Sequence, residues 1–306
     1  MIRLLMVLGL TLLSTQALAA IDVVTTLPEY AAIAQEIGGD KVKVISLTKP
    51  GQDPHFVDAK PSYIIALNKA ELLIVNGLDL EIGWIPTLLV QARNPNIQPG
   101  QAGHMDASTF AGEILDKPSG HIDRSMGDIH GGGNPHFSRD PTRMVTVIEE
   151  TTRRLAQLEP ASAATFQANS QKLLSGLKQL INESQTKWSK LPAQSRQAVE
   201  YHKSWLYLFD TLQITVPIRI ESKPGVAPSP AHVAKVVGTV KSNNVKLLLQ
   251  ETSYSSKLMS TVAKITKSKH IIVSSGPDFD KGQGYIEHVQ NLLDTLYAAV
   301  QPGATP

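Results

Sequence analysis

No cysteine occurs in the 306 residues, which excludes a disulfide, a thiolate ligand and a lipid-modified cysteine behind an export signal. Stability must therefore come from packing. An excess of charge is also missing: 29 Lys and Arg against 27 Asp and Glu leave a formal +2, so no face is obliged to be basic and no nucleic-acid partner is expected. Long apolar runs are confined to Leu4–Leu13, which follows Arg3 and precedes Ala17-Leu18-Ala19. That run has the length of a secretory h-region and falls short of the roughly 20 residues that span a bilayer. Residues 1–20 are thus expected to be a cleavable signal peptide. Without an anchor cysteine, the exported chain is expected in a periplasm. The His-Glu-x-x-His helix of zinc proteases does not occur either.

What the chain does have is one tetrapeptide used twice, Asp53-Pro54-His55-Phe56 and Asn134-Pro135-His136-Phe137. Each copy follows a glycine-containing stretch and reads as a loop that aims one imidazole. A third histidine, His202, is expected at the end of a strand over 197–201, and Glu251 at the end of another over 245–249. Three neutral imidazoles with one carboxylate form a nitrogen-rich set that suits tetrahedral zinc. No two of these histidines share a helical turn, so the site requires loops from distant parts of the chain to converge. His232, His270 and His288 read as packing or surface residues.

Hydrophobic periodicity gives β-α-β-α order with short connections over the first part of the chain, which predicts a parallel sheet with ligands beyond its carboxyl strand ends. Strands are predicted at 21–25, 42–47 and 71–75, with helices after 28, 61 and 81. Residues 94–134 show little apolar periodicity, and their glycine-rich part, about 116–134, reads as a flexible loop carrying His121 and His130 as auxiliary imidazoles. Asp140-Pro141 is expected to open a helix, with Asp140 as its cap. A helical pattern from about 161 to 189 would run about 45 Å at about 1.5 Å per residue. The α/β pattern then restarts, with strands predicted at 197–201, 214–220, 245–249 and 270–273 and a last helix over 285–300. The expected architecture is α/β: two lobes, each a mostly parallel sheet flanked by helices, joined by one long rigid helix. The predicted divisions are 21–158 for the first lobe, 159–191 for the linking helix and 192–306 for the second lobe.

Taken in order, the signal sequence, Asp53-Pro54-His55-Phe56 with Lys60-Pro61-Ser62, the turn after Val75, Asn134-Pro135-His136-Phe137 with Asp140-Pro141, Tyr201-His202, Pro228-Ser229-Pro230 and Glu251 resemble the ZnuA and TroA-like periplasmic solute-binding proteins of bacterial metal ABC importers. The resemblance runs from about residue 21 to 300. It implies a binding protein and not an enzyme, with a metal held between two lobes and delivered to an ABC permease, and with a periplasmic metal chaperone as a further partner. It implies His55 and His136 as ligands from the first lobe and His202 from the second. In relatives that resemble manganese or iron binders a Glu tends to occupy the position of His202, so zinc is the expected cargo, with manganese or iron the alternative. The family's Asp before the last helix has no clean match in Ser274-Ser275-Gly276-Pro277-Asp278-Phe279-Asp280. Glu251 is the expected fourth ligand because the strand before it fixes its direction, with Asp278, Asp280 or water as alternatives. A secreted zinc hydrolase is the competing class, since three histidines and a water are also a catalytic arrangement. A single linking helix further predicts that metal release moves the 116–134 loop more than it opens the lobes.

Overall fold

The computed structural model describes residues 20–120, 127 and 129–301. The expected signal peptide and His121 lie outside the described residues. Two parallel sheets face one another. The first, in order β2-β1-β3-β4, is built from β1 (Ile21–Thr25), β2 (Val42–Ser46), β3 (Leu72–Val75) and β4 (His104–Asp106). The second, in order β5-β6-β7, is built from β5 (Ala198–Glu200), β6 (Leu247–Glu251) and β7 (Lys269–Val273).

The inner strands β1, β3 and β6 are buried on both faces, and the alternation of side chains along them sorts the residues into separate cores. In the first sheet Val23, Leu72 and Ile74 face the middle of the molecule, while Val24, Leu73 and Val75 pack outward under α2 (Pro61–Lys69) and α3 (Ile85–Ala92). In the second, Ala198, Leu247 and Leu249 face the middle, while Val199 and Leu248 pack under α7 (Pro230–Ser242) and α8 (Ser256–Thr266). Between the sheets lies a shared layer made of α1 (Pro28–Gly38), α4 (Met144–Leu158), α5 (Ala163–Ser189), α6 (Leu206–Thr211) and α9 (Tyr285–Val300). The long helix α5 has 27 residues, about 40 Å at about 1.5 Å per residue. It packs against α1, α4 and α9, and so touches both lobes. Proline stands in the first turn of α1, α2, α3 and α7, where its missing N–H costs nothing.

Three expectations need correction. His104–Asp106, in a stretch without periodic signal, is the edge strand β4, paired in parallel with β3. Residues 214–220 form no named strand: Thr215 bridges Gln197, and the segment then runs beside β5 with Ile220 and Glu221 donating to the carbonyls of Glu200 and Tyr201. Pro217 lacks the N–H that an uninterrupted ladder needs. Asp140 does not cap α4, which begins at Met144. Its carboxylate instead caps the preceding turn, accepting from the amide and hydroxyl of Thr142. Among the described residues no helix is long and apolar enough to cross a membrane.

Candidate metal centre

The two copies of the tetrapeptide fold alike. In the first, Asp53 Oδ1 accepts the amide of His55 at 3.0 Å, and in the second Asn134 Oδ1 accepts the amide of His136 at 2.9 Å. These are Asx turns, in which a short polar side chain holds the backbone two residues on. The proline carbonyl between them is held from behind in each case. Pro54 O accepts the indole N–H of Trp84 at 2.9 Å, and Pro135 O accepts the amide of Asn76 at 2.9 Å. Trp84 belongs to the outer core of the first sheet, so packing there fixes the first loop. Asn76 is itself anchored by Tyr30 Oη and by Glu81, whose carboxylate takes the amides of Asn76 and Gly77 and the hydroxyl of Thr26. His202 lies two residues beyond β5, and Glu251 is the last residue of β6.

The carboxyl ends of the two sheets thus converge, as open parallel sheets dictate. One ring nitrogen from each of His55, His136 and His202 lies within 4.8 Å of the others, and all three residues are buried. His136 Nε2 and His202 Nε2 are 3.1 Å apart. Two of the rings are oriented from behind by carboxylates: His55 Nδ1 meets Asp53 Oδ1 at 2.7 Å, and His202 Nδ1 meets Glu221 Oε2 at 2.7 Å. A carboxylate only accepts, so Nδ1 carries the proton in both rings and the Nε2 lone pair points to the centre. Tyr254 stacks on His202 at 6.1 Å and on Tyr201 at 4.5 Å, which walls the second-lobe side.

Charge around the rings is arranged in the same sense. Burial holds His136 well below the usual imidazole range, and the neighbouring rings of His202 and His55 push it lower. Burial also acts to lower His202, but the Glu221 carboxylate outweighs it and holds that ring above its usual range. Asp53 would be raised by burial, yet its contacts with His55 keep it below the ordinary carboxylate range. Glu251 is 3 % exposed and raised by burial, partly offset by the Ser204 hydroxyl and the charge of Arg139. Its Oε2 has no hydrogen-bond partner. It borders, with His55 and His136, a space of about 10 Å³, about the size of one water-sized sphere.

Glu251 is not part of the mutually close set, which comprises the three histidines. The other two candidate carboxylates are engaged elsewhere: Asp280 pairs with Lys49 at 2.6 Å and Asp278 with Lys281 at 2.8 Å, and neither borders the space. Ser275 does border it. Of the auxiliary loop, His130 is described and lies at the site, its Nε2 3.3 Å from His55 Nε2. His232 Nε2 donates to Arg219 O, His270 Nε2 donates to Gln250 Oε1, and His288 is half-buried in the first turn of α9, so none of these reaches the centre. Glu221 had no sequence signal because it follows an irregular, proline-interrupted segment.

Three comparisons bear on these features. The family model described as Zinc-uptake complex component A periplasmic matches residues 23–299. Among characterised proteins, the Iron-binding protein YfeA of Yersinia pestis is 26 % identical over 311 residues, covering 94 % of this chain and 91 % of that protein. The High-affinity zinc uptake system protein ZnuA of Bacillus subtilis (strain 168) is 25 % identical, covering 90 % of this chain and 86 % of that protein. Among solved structures, a crystal structure of ZnuA shares the fold with a TM-score of 0.75 at 23 % identity, over 92 % of this chain and 100 % of that one. A manganese-bound periplasmic metal binding protein from Candidatus Liberibacter asiaticus shares it with a TM-score of 0.70 at 20 % identity. Proteins of this kind bind for transport and are not enzymes, which sets the hydrolase alternative aside. A family match over nearly the whole length, on a two-lobed fold with three buried imidazoles at the lobe junction, leads to one conclusion: the chain belongs to the ZnuA family of periplasmic metal-binding proteins that serve metal ABC transporters.

Proposed function

We propose that this protein captures zinc between its lobes through His55, His136 and His202 and delivers it to an inner-membrane ABC permease. The observation that carries the choice of metal is the donor set: three converging ring nitrogens, two of them with Nδ1 turned to a carboxylate. Imidazole suits zinc, whereas manganese favours carboxylate, carbonyl and water oxygens. Asp53 and Glu221 increase the basicity of the rings they touch, and with Glu251 they offset the dication's charge in a buried site. Glu251 borders the small space beside His55 and His136, where its carboxylate offers an oxygen in place of water. That possibility favours the second reading, manganese or iron, in line with the name of the Yersinia relative.

Calorimetric titration of metal-stripped protein tests the proposal. One tight zinc site is expected, lost or severely weakened in His55→Ala, His136→Ala and His202→Ala. Parent-like zinc binding by all three variants would overturn it. Competition among zinc, manganese and ferrous iron in one buffer decides the cargo, with a manganese or iron preference overturning the assignment of zinc.

A further inference from the structure

The triad leaves one corner of a tetrahedron to fill, and the segment leading into the second Pro-His-Phe comes close to it. His130 Nε2 is 3.3 Å from His55 Nε2, with ring centroids 5.3 Å apart and planes inclined at 37°. Zinc–nitrogen bonds of about 2.0–2.1 Å in tetrahedral geometry require nitrogens about 3.3–3.4 Å apart. The His136–His202 separation of 3.1 Å and the His55–His130 separation of 3.3 Å are both near that edge length. Because the proton of His55 is on Nδ1, facing Asp53, its Nε2 offers a lone pair toward His130. A hydrogen bond from His130 Nε2 to that lone pair holds the two rings together at this distance, and a cation between them takes the place of the shared proton.

The backbone is built to bring His130 there. Its carbonyl accepts the amide of Gly133 at 3.1 Å, closing a tight turn. Gly133 has φ +111° and would set a Cβ 2.8 Å from the carbonyl of Leu115, so only glycine fits. Gly132 passes so near Leu78 that a Cβ would fall 2.7 Å from its Cδ2. At the other end Gly127 lies against Pro224, on the same second-lobe loop that carries Glu221. The turn is thus packed on the first lobe and abuts the second across the metal centre. Glu251 approaches from the opposite side, bordering the small space with His55 and His136, and His130 does not border that space.

We infer that His130 is the fourth protein ligand, so that the ion is held by four imidazoles and the 129–133 turn closes over it. This rests on the metal-binding reading above. His130 lies outside the set whose donor atoms are all mutually within 4.8 Å, so its remaining approach is made when the ion arrives. Glu251 then balances charge without ligating. The 129–133 turn acts as a latch, slowing release more than capture.

The test uses the mature chain loaded with cobalt(II) as a spectroscopic probe and with zinc for X-ray absorption and chelator competition. The parent is expected to show the intense visible bands of a four-coordinate nitrogen site and four imidazoles around zinc. His130→Ala is expected to lose one imidazole, show weaker, shifted cobalt bands, and bind zinc less tightly by at least the roughly 10–100-fold typical of lost outer partners. Its rate of zinc release to a chelator should rise by most of that factor. Glu251→Gln is expected to keep the cobalt spectrum. A parent-like spectrum and affinity in His130→Ala, or a spectrum that changes in Glu251→Gln instead, would overturn the assignment. Should His130→Ala fail to fold, His130→Gln keeps the bulk and polarity of the turn and carries the same readouts. Parent-like zinc binding in the three triad variants would instead defeat the metal-binding reading itself.

Discussion

Glu221 shows how the centre is tuned one residue at a time. It contacts no part of the zinc position proposed above, yet its carboxylate sets the tautomer of His202 and also accepts the amide of Gly225, tying the ring to its own loop. Replacing such a partner typically costs about 10–100-fold in metal affinity, so Glu221→Ala is expected to fall in that range by competition with a chromophoric chelator. Asp53→Ala should cost more, because it also releases the turn that aims His55. Glu81 gives a prediction in pH. Burial pushes it up from an ordinary 4.5 to about 7 against the pull of Thr26, Asn76 and Gly77. Between those values the folded protein keeps a proton that the unfolded chain has lost. Its contribution is fully present below about 4.5 and disappears as pH rises through about 7, a difference of about 3 kcal/mol. Urea midpoints should therefore fall over that window in the parent, and the slope should flatten in Glu81→Gln. The three triad histidines were legible in the sequence because a repeated Asx-Pro-His turn and a strand end announce where a ring will point. Glu221 and Glu81 were not, since a carboxylate that supports another residue leaves no local pattern.

Among the elements, β4 and the 214–220 segment mark where periodicity stops being informative. Three residues are too few to show alternation, and β4 exists because β3 offers a free edge beside it. Pro217 disrupts a run that is otherwise β-branched and apolar. The long helix, by contrast, could be read within two residues at its start, because its apolar positions recur over many turns. The sequence describes a helix that joins the lobes, and α5 does so; what was not legible is that it also forms a wall of the shared core. Phe166, Leu173, Leu177, Leu180 and Trp188 all belong to the cluster that also holds Ile33 of α1 and Leu296 of α9. Leu177 is 0 % exposed, and Leu177→Ala should destabilise by about 2–5 kcal/mol through lost burial and an unfilled cavity. Chemical denaturation reads that loss directly. Zinc affinity in the folded variant should stay at the parent level, because α5 supplies no side chain to the centre. A variant that lost metal affinity while keeping its stability would contradict this division of roles.

At the scale of the molecule, the shared layer decides how the two lobes move. The central core runs without a break from Ile21 of the first sheet to Leu249 of the second and Val300 of the last helix. Polar ties join the lobes as well: Ser275 Oγ donates to Pro50 O at 2.7 Å, Tyr207 Oη to Asn134 O at 2.6 Å, and Tyr285 N to Glu36 at 2.6 Å. Swinging the lobes apart as rigid bodies would expose part of that core and break these ties together, while displacing the 129–133 turn leaves the core and these ties in place. Metal release is therefore expected through the turn, with the lobes nearly fixed. Small-angle scattering should give nearly the same radius of gyration for metal-free and zinc-loaded protein, while hydrogen exchange speeds up in the 127–134 segment on metal removal. A large change in radius would count against the shared core as the governing constraint. The same continuity predicts one cooperative thermal transition for both lobes. Zinc should shift that transition without splitting it, by about 4 kcal/mol of added stability when free metal exceeds its dissociation constant about 1,000-fold. Two separate transitions, only one of them zinc-sensitive, would mean that the lobes unfold independently and that the middle layer belongs to one of them alone.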